Sequence, residues 1–151
     1  MFGKKLSEYI RFESWVLILI AVVWAVRLGI SLAGTSFAST RWVSINIVSL
    51  LGLIWAAVAV QTSGFGSYKQ LLGLYFFQAI VQHWLIALAI LFAIVTGTQN
   101  VYTAPEVSGG GDGANWIHFV AHAVAAALVI PFVMWLFGSI ILFVTKRVKP
   151  A

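Results

Sequence analysis

Apolar residues run along this chain in four long stretches rather than alternating with polar ones. The stretches are Ser14 to Ala33, Val43 to Val60, Leu71 to Thr96 and Trp116 to Thr145. A hydrocarbon core about 30 Å thick takes about 20 helical residues to cross, so each can span a bilayer. Backbone groups in lipid must be paired inside a helix or a closed barrel, and the period-two alternation of barrel strands is missing. The pattern predicts an all-α polytopic membrane protein, one domain over 1–151, with four transmembrane helices in an antiparallel bundle at 14–33, 43–60, 71–96 and 116–145. Short connections make sequential helices neighbours.

The third and fourth stretches are longer than the core is thick, so they must tilt, kink or protrude. Pro131 lies inside the fourth, where its missing N–H leaves the Ala127 carbonyl without a donor and predicts a kink. The longest connection, 97–115, holds Pro105 and Gly109, Gly110, Gly111 and Gly113. Its spacing fits neither a phosphate-binding loop nor an EF-hand, and it reads as a flexible external linker.

Composition narrows the class further. Apolar residues make up 62% of the chain, against roughly 45 to 50% in soluble domains. Nine Lys+Arg and four Asp+Glu leave a net +5. So few charges cannot cover a soluble globule, and so apolar a chain does not stay disordered in water. The absence of Cys removes disulfides, thiolate metal sites and thiol nucleophiles.

Basic residues give an orientation. Lys4, Lys5, Arg11, Lys69, Lys146, Arg147 and Lys149 fall on one side, opposite Arg41, Glu106 and Asp112. The positive-inside rule therefore predicts cytoplasmic termini in an inner membrane. A signal peptide is the competing reading of the first stretch, but Glu8 and Glu13 spoil its basic leader. The basic face suits anionic membrane lipids, and no basic patch carries the interleaved aromatics of a nucleic-acid binder.

Polar side chains inside spanning helices need a partner or a cavity. They are Arg27; Asn46 and Ser49; Tyr75, Gln78, Gln82 and His83; and His118 with His122. Most fall in the outer half, while the inner halves are nearly all apolar. This asymmetry predicts a ligand-binding pocket built from Arg27, Asn46, Gln78, Gln82 and His83, open outward and sealed inward, which argues against a continuous pore. Each residue has a plainer role too. Arg27 can snorkel outward onto Trp24, the amides can be interhelical glue, and the histidines can be satisfied hydrogen-bonding groups.

Two cofactor readings follow from the histidines. His118 and His122, one turn apart, can share a divalent metal with help from Asp112 or Glu106, although no H-E-x-x-H motif is present. A b-type haem would need His83 facing His118 or His122, and helix ends drawn level put His83 and His122 about 10 Å apart in depth. Ala121 with Ala125, and Ala123 with Ala127, place small residues on two faces of the fourth helix, as in a homo-oligomer or larger membrane complex. The leading expectation is a non-enzymatic membrane subunit or self-associating module whose pocket takes a small ligand or ion. A haem electron-transfer subunit and a small transporter or channel are the alternatives. No nucleophile and base stand at recognisable spacing for an enzyme.

Overall fold

The first helix begins well before its apolar run, because an acid closes its first turn. The computed structural model describes residues 1–148, so Lys149 lies outside the described residues. In it the Lys5 backbone N–H donates to Glu8 Oε2 at 2.7 Å, and Lys4 pairs with the same carboxylate at 3.5 Å. This capped turn starts α1 at Leu6–Leu32, eight residues ahead of the boundary that hydropathy alone suggests, and carries Glu13 inside the helix.

A short α2 (Phe37–Thr40), capped by Ser36, leads to α3 (Ile45–Thr62). Helix α4 (Tyr68–Thr96) opens with the Ser67 N–H donating to Gln70 Oε1 at 2.9 Å and ends at Gly97, whose φ of 70° suits glycine. Asn115 caps α5 (Trp116–Val120), a π-helical turn follows at Ala121–Ala126, and α6 runs from Ala127 to Val148. Pro131, where a kink is expected, lies inside α6, and the π-helical turn stands ahead of it at Ala121–Ala126. Among the described residues there is no strand, and 4 helical spans are long and apolar enough to cross a membrane. The protein has the build of an integral membrane four-helix bundle.

Helix α4 packs against α1, α3 and α6, and α3 packs against α1 and α6, while α1 and α6 do not meet among the described residues. The sequential pairs α3–α4 and α4–α6 are thus neighbours, with α3 and α4 meeting in the middle of the bundle. Gln70 Nε2 donates to the Phe2 carbonyl at 2.6 Å and Lys146 Nζ to Ser67 Oγ at 2.8 Å, so both termini share one end, the terminal end. Residues 33–44 and 97–115 form the other, the loop end.

The terminal half is tightly packed around Tyr9, Leu53, Ala56, Val60, Leu74 and Tyr75. Glycines permit that closeness. A Cβ on Gly138 would overlap the Tyr75 phenol, and one on Gly73 would run into the Tyr9 ring. At the loop end, the connection expected to be a flexible linker is folded down onto the helices. Asn100 Nδ2 donates to the Ala89 carbonyl and Asn100 Oδ1 accepts from the Tyr102 N–H, both at 2.9 Å. Val101 and Tyr102 are buried against Ile45, Ile86 and Ile90. An asparagine that bonds its own backbone supplies a turn that glycine content alone conceals.

Candidate functional site

A ladder of polar contacts joins α3 to α4. Tyr75 donates to the Leu53 carbonyl at 2.8 Å; Gln78 Nε2 donates to Ser49 O at 2.6 Å and Ser49 Oγ at 2.7 Å; Gln82 Nε2 donates to Asn46 Oδ1 at 2.8 Å. The partners keep one antiparallel register, so the spacing of three and four residues on each helix brings successive rungs together.

The next rung crosses to the fourth span. His83 Nδ1 and His122 Nδ1 are 3.0 Å apart, with ring centroids 5.2 Å apart. When both rings are neutral one must donate and the other accept, so they hold opposite tautomers. His118 stacks edge-on at 5.0 Å from His122, and its Nδ1 lies 2.9 Å from the Gly113 carbonyl. A carbonyl only accepts, so His118 Nδ1 carries a hydrogen and donates it to Gly113.

Contact between His83 and His122 overturns the depth difference expected from level helix ends. Counting outward from this contact sets Trp116 opposite Ala89, so the last two turns of α4 project about 10 Å beyond the start of α5. The chain covers that distance by folding 98–115 back along α4, with Asn100 fastened at Ala89.

Arg27, Asn46, His83, His118 and His122 line one cavity of about 310 Å³, roofed by Tyr102 and Val107 from the folded loop. Gln82 lines an adjoining cavity of about 280 Å³ with Asn46, Ser49 and His83, and Gln78 lines neither, being buried against Ser49. A larger cavity of about 550 Å³ lies between the loop, Ser31 of α1 and Phe37 of α2. Polar groups there already serve one another, Gln99 with Asp112 and Asn100 with Tyr102, so it holds no unmet demand.

Arg27 is the unusual group. It is 6% exposed, its Nε has no hydrogen-bond partner, and its guanidinium carbon sits 5.5 Å from the Phe37 ring and 5.6 Å from the Tyr102 ring. The rings it meets are therefore brought by α2 and the loop, where Trp24 was expected. Lys4–Glu8 is the one ion pair among the described residues. Arg27 is a buried cation without an anion. Burial pushes the Tyr102 phenol up from its ordinary pKa, and the Arg27 charge pulls it partly back, so the roof over Arg27 is a neutral phenol at physiological pH.

The cofactor geometries fare differently. A porphyrin between two axial imidazoles needs the width of the macrocycle between their nitrogens, and His83 and His122 are in hydrogen-bonding contact instead. His122 turns its Nδ1 to His83 rather than to an ion shared with His118, Asp112 bonds Gln99 and Ala114, and Glu106 is exposed. Among the described residues no three His, Cys, Asp or Glu side chains are arranged around one metal position. Tyr102 and Glu13 escaped the sequence reading. Tyr102 lies in the connection read as a linker, and Glu13 stands just ahead of the first apolar stretch. The chain matches no protein-family model, no curated protein and no solved structure.

Proposed function

We propose that this chain is a non-enzymatic membrane module whose loop-end cavity binds a small anion. The observation that carries this reading is Arg27, a buried guanidinium that faces a 310 Å³ cavity and has no carboxylate to pair with. An uncompensated charge in a low-dielectric interior is held at a cost of several kcal/mol, and an anion offsets that cost while meeting the guanidinium in its preferred two-pronged geometry. Asn46 adds a donor, since its Oδ1 is occupied by Gln82 and its Nδ2 is left over. The lining holds no carboxylate and no Ser, Thr, Cys or Lys, which fits binding better than catalysis. The same positive charge repels a divalent metal from the histidines.

Lys4, Lys5, Arg11, Lys69, Lys146 and Arg147 gather toward the terminal end, which supports cytoplasmic termini against anionic lipid and a pocket facing outward. Ala123 and Ala127 are buried in the bundle, whereas Ala121 and Ala125 are exposed. That exposed pair is the surface for a second copy or a partner subunit. The packed terminal half favours a binding module over a channel.

Thermal unfolding of the full chain in detergent, with phosphate, sulfate, acetate or succinate added, tests the pocket. Saturation at about 100 times Kd stabilises the folded state by about 2.7 kcal/mol, and Arg27→Gln abolishes the effect. Stabilisation by zinc alone, or equal stabilisation of the variant, overturns the reading. Water-soluble thiol reagents applied from outside are expected to reach cysteines at 46 and 122 and to miss those at 56 and 79; labelling from the cytoplasmic side alone reverses the orientation.

A further inference from the structure

Glu13 is the second buried ionisable group without a partner, and it lies in the other half of the bundle. Its side chain is 0% exposed, and neither carboxylate oxygen has a hydrogen-bond partner. One helical turn on, Val16 meets Gly52 of α3 at the point where the Gln78 amide also packs. On α4, Tyr75 belongs to the buried cluster that also holds Tyr9 and packs against Phe12, the residue preceding Glu13. From its own helix Tyr9 stands one turn back, its hydroxyl engaged by the Met1 carbonyl. No Lys, Arg or His among the described residues forms an ion pair with Glu13.

The polar atoms in this part of the bundle lack a donor. Gln78 Nε2 is committed to Ser49 O and Oγ, and because that carbonyl can only accept, the amide orientation is fixed. Gln78 Oε1 is then a buried acceptor with no donor. Tyr75 spends its hydrogen on the Leu53 carbonyl and keeps only acceptor capacity. An ionised Glu13 adds two more acceptors. The neighbourhood is rich in lone pairs and lacks a hydrogen to share among them.

We propose that Glu13 is an intramembrane proton-binding site, its carboxyl held as the neutral acid in a buried neighbourhood whose polar atoms are acceptors. One proton turns an acceptor into a donor and removes the buried charge in the same step. A metal cation would need several oxygen ligands and room for them, and the cavities of about 310 and 280 Å³ are lined by neither Glu13 nor Gln78. The site is independent of what the Arg27 cavity binds.

Dicyclohexylcarbodiimide, an apolar reagent that adds to protonated carboxyls, provides the test on the full chain in lipid vesicles at neutral pH. Asp112 is exposed, and its hydrogen bonds from Ala114 and Gln99 favour the carboxylate, so it serves as an internal control and stays unmodified. Mass mapping is expected to find the adduct on Glu13. Glu13→Gln removes the adduct and keeps the thermal midpoint, since an amide reproduces the shape of the neutral acid. The infrared difference between the two proteins then shows a protonated carboxyl C=O stretch. An unmodified Glu13 with a carboxylate stretch in that difference overturns the proposal, as does protection of Glu13 by sodium ions. Mapping on the unsubstituted chain keeps the test valid even where the variant folds poorly.

Discussion

The two halves of this bundle use buried polar groups in opposite ways. Toward the terminal end, Tyr75 and Gln78 find partners on α3, and glycines let the helices close on them. Toward the loop end, Arg27, Asn46 and three histidines surround space. The ladder passes from one regime to the other between Gln78 and Gln82 without changing residue type, so polarity alone does not mark a site. What differs is whether the helices close around the polar groups or leave a cavity beside them. At the loop end α4 outruns α5, a π-turn loosens the fourth span and a loop forms the roof. Each of these moves helices or side chains apart where the terminal half brings them together.

Packing should therefore decide stability in one half and leave it almost untouched in the other. Gly138→Val drives a side chain into the Tyr75 phenol and breaks its bond to Leu53, with an expected loss of about 1–3 kcal/mol. Gly111→Ala, in open space within the loop, should stay within about 0.5 kcal/mol. Thermal or denaturant unfolding in detergent measures both. Equal losses would mean that the loop is packed as tightly as the core and would erase the contrast.

Arg27 sharpens the comparison from the other side. Replacing a buried, unpaired cation by Arg27→Met should leave the ligand-free protein as stable or more stable, by about 1 kcal/mol or more, and remove the response to anions. A destabilised variant would show that the guanidinium serves packing against Phe37 and Tyr102.

Smaller effects are expected along the ladder itself. Gln78→Leu removes contacts that average about 0.6 kcal/mol each within membranes and reach about 1.7. It should cost stability without altering anion binding, because Gln78 lines neither cavity. A change in anion affinity would join the two halves into one functional unit.

Much of this was legible in the residues. Four apolar runs identify four helices because lipid leaves the backbone no other choice, and positions 75, 78 and 82 on one helix and 46 and 49 on another announce a shared polar face. Hydropathy was blind to the start of α1, where Glu8 caps a polar turn and so carries Glu13 into the bundle. The meeting of His83 with His122 was also hidden, because it depends on where helix ends stand relative to one another. Asn100 fastens the loop back onto α4 through a bond to Ala89, a contact with no periodic signature. The loop looked like a linker for the same reason: its glycines are visible in sequence, whereas its anchors are single side chains.

The loop's own pH dependence is the smallest expected effect and the most specific check on its fold. Asp112 accepts from the Ala114 N–H at 2.9 Å and from Gln99 at 3.0 Å, and these bonds, the backbone one foremost, hold its carboxyl below the usual aspartate pKa. A lowered folded-state pKa contributes stability that is present above the unfolded value, about 3.9, and is lost as pH falls through the folded value. Tyr102 works in reverse: its raised pKa favours the neutral phenol, so its contribution is present below about 10 and is lost as pH rises through the folded value. Asp112→Asn keeps an acceptor but has no charge to titrate. The difference in thermal midpoint between the two proteins should therefore be present near pH 6 and shrink as pH falls below about 3.9 and through the lower folded value. A difference that persists in acid would place the role of Asp112 in its shape, and the loop would then be held by Asn100 and Tyr102 alone.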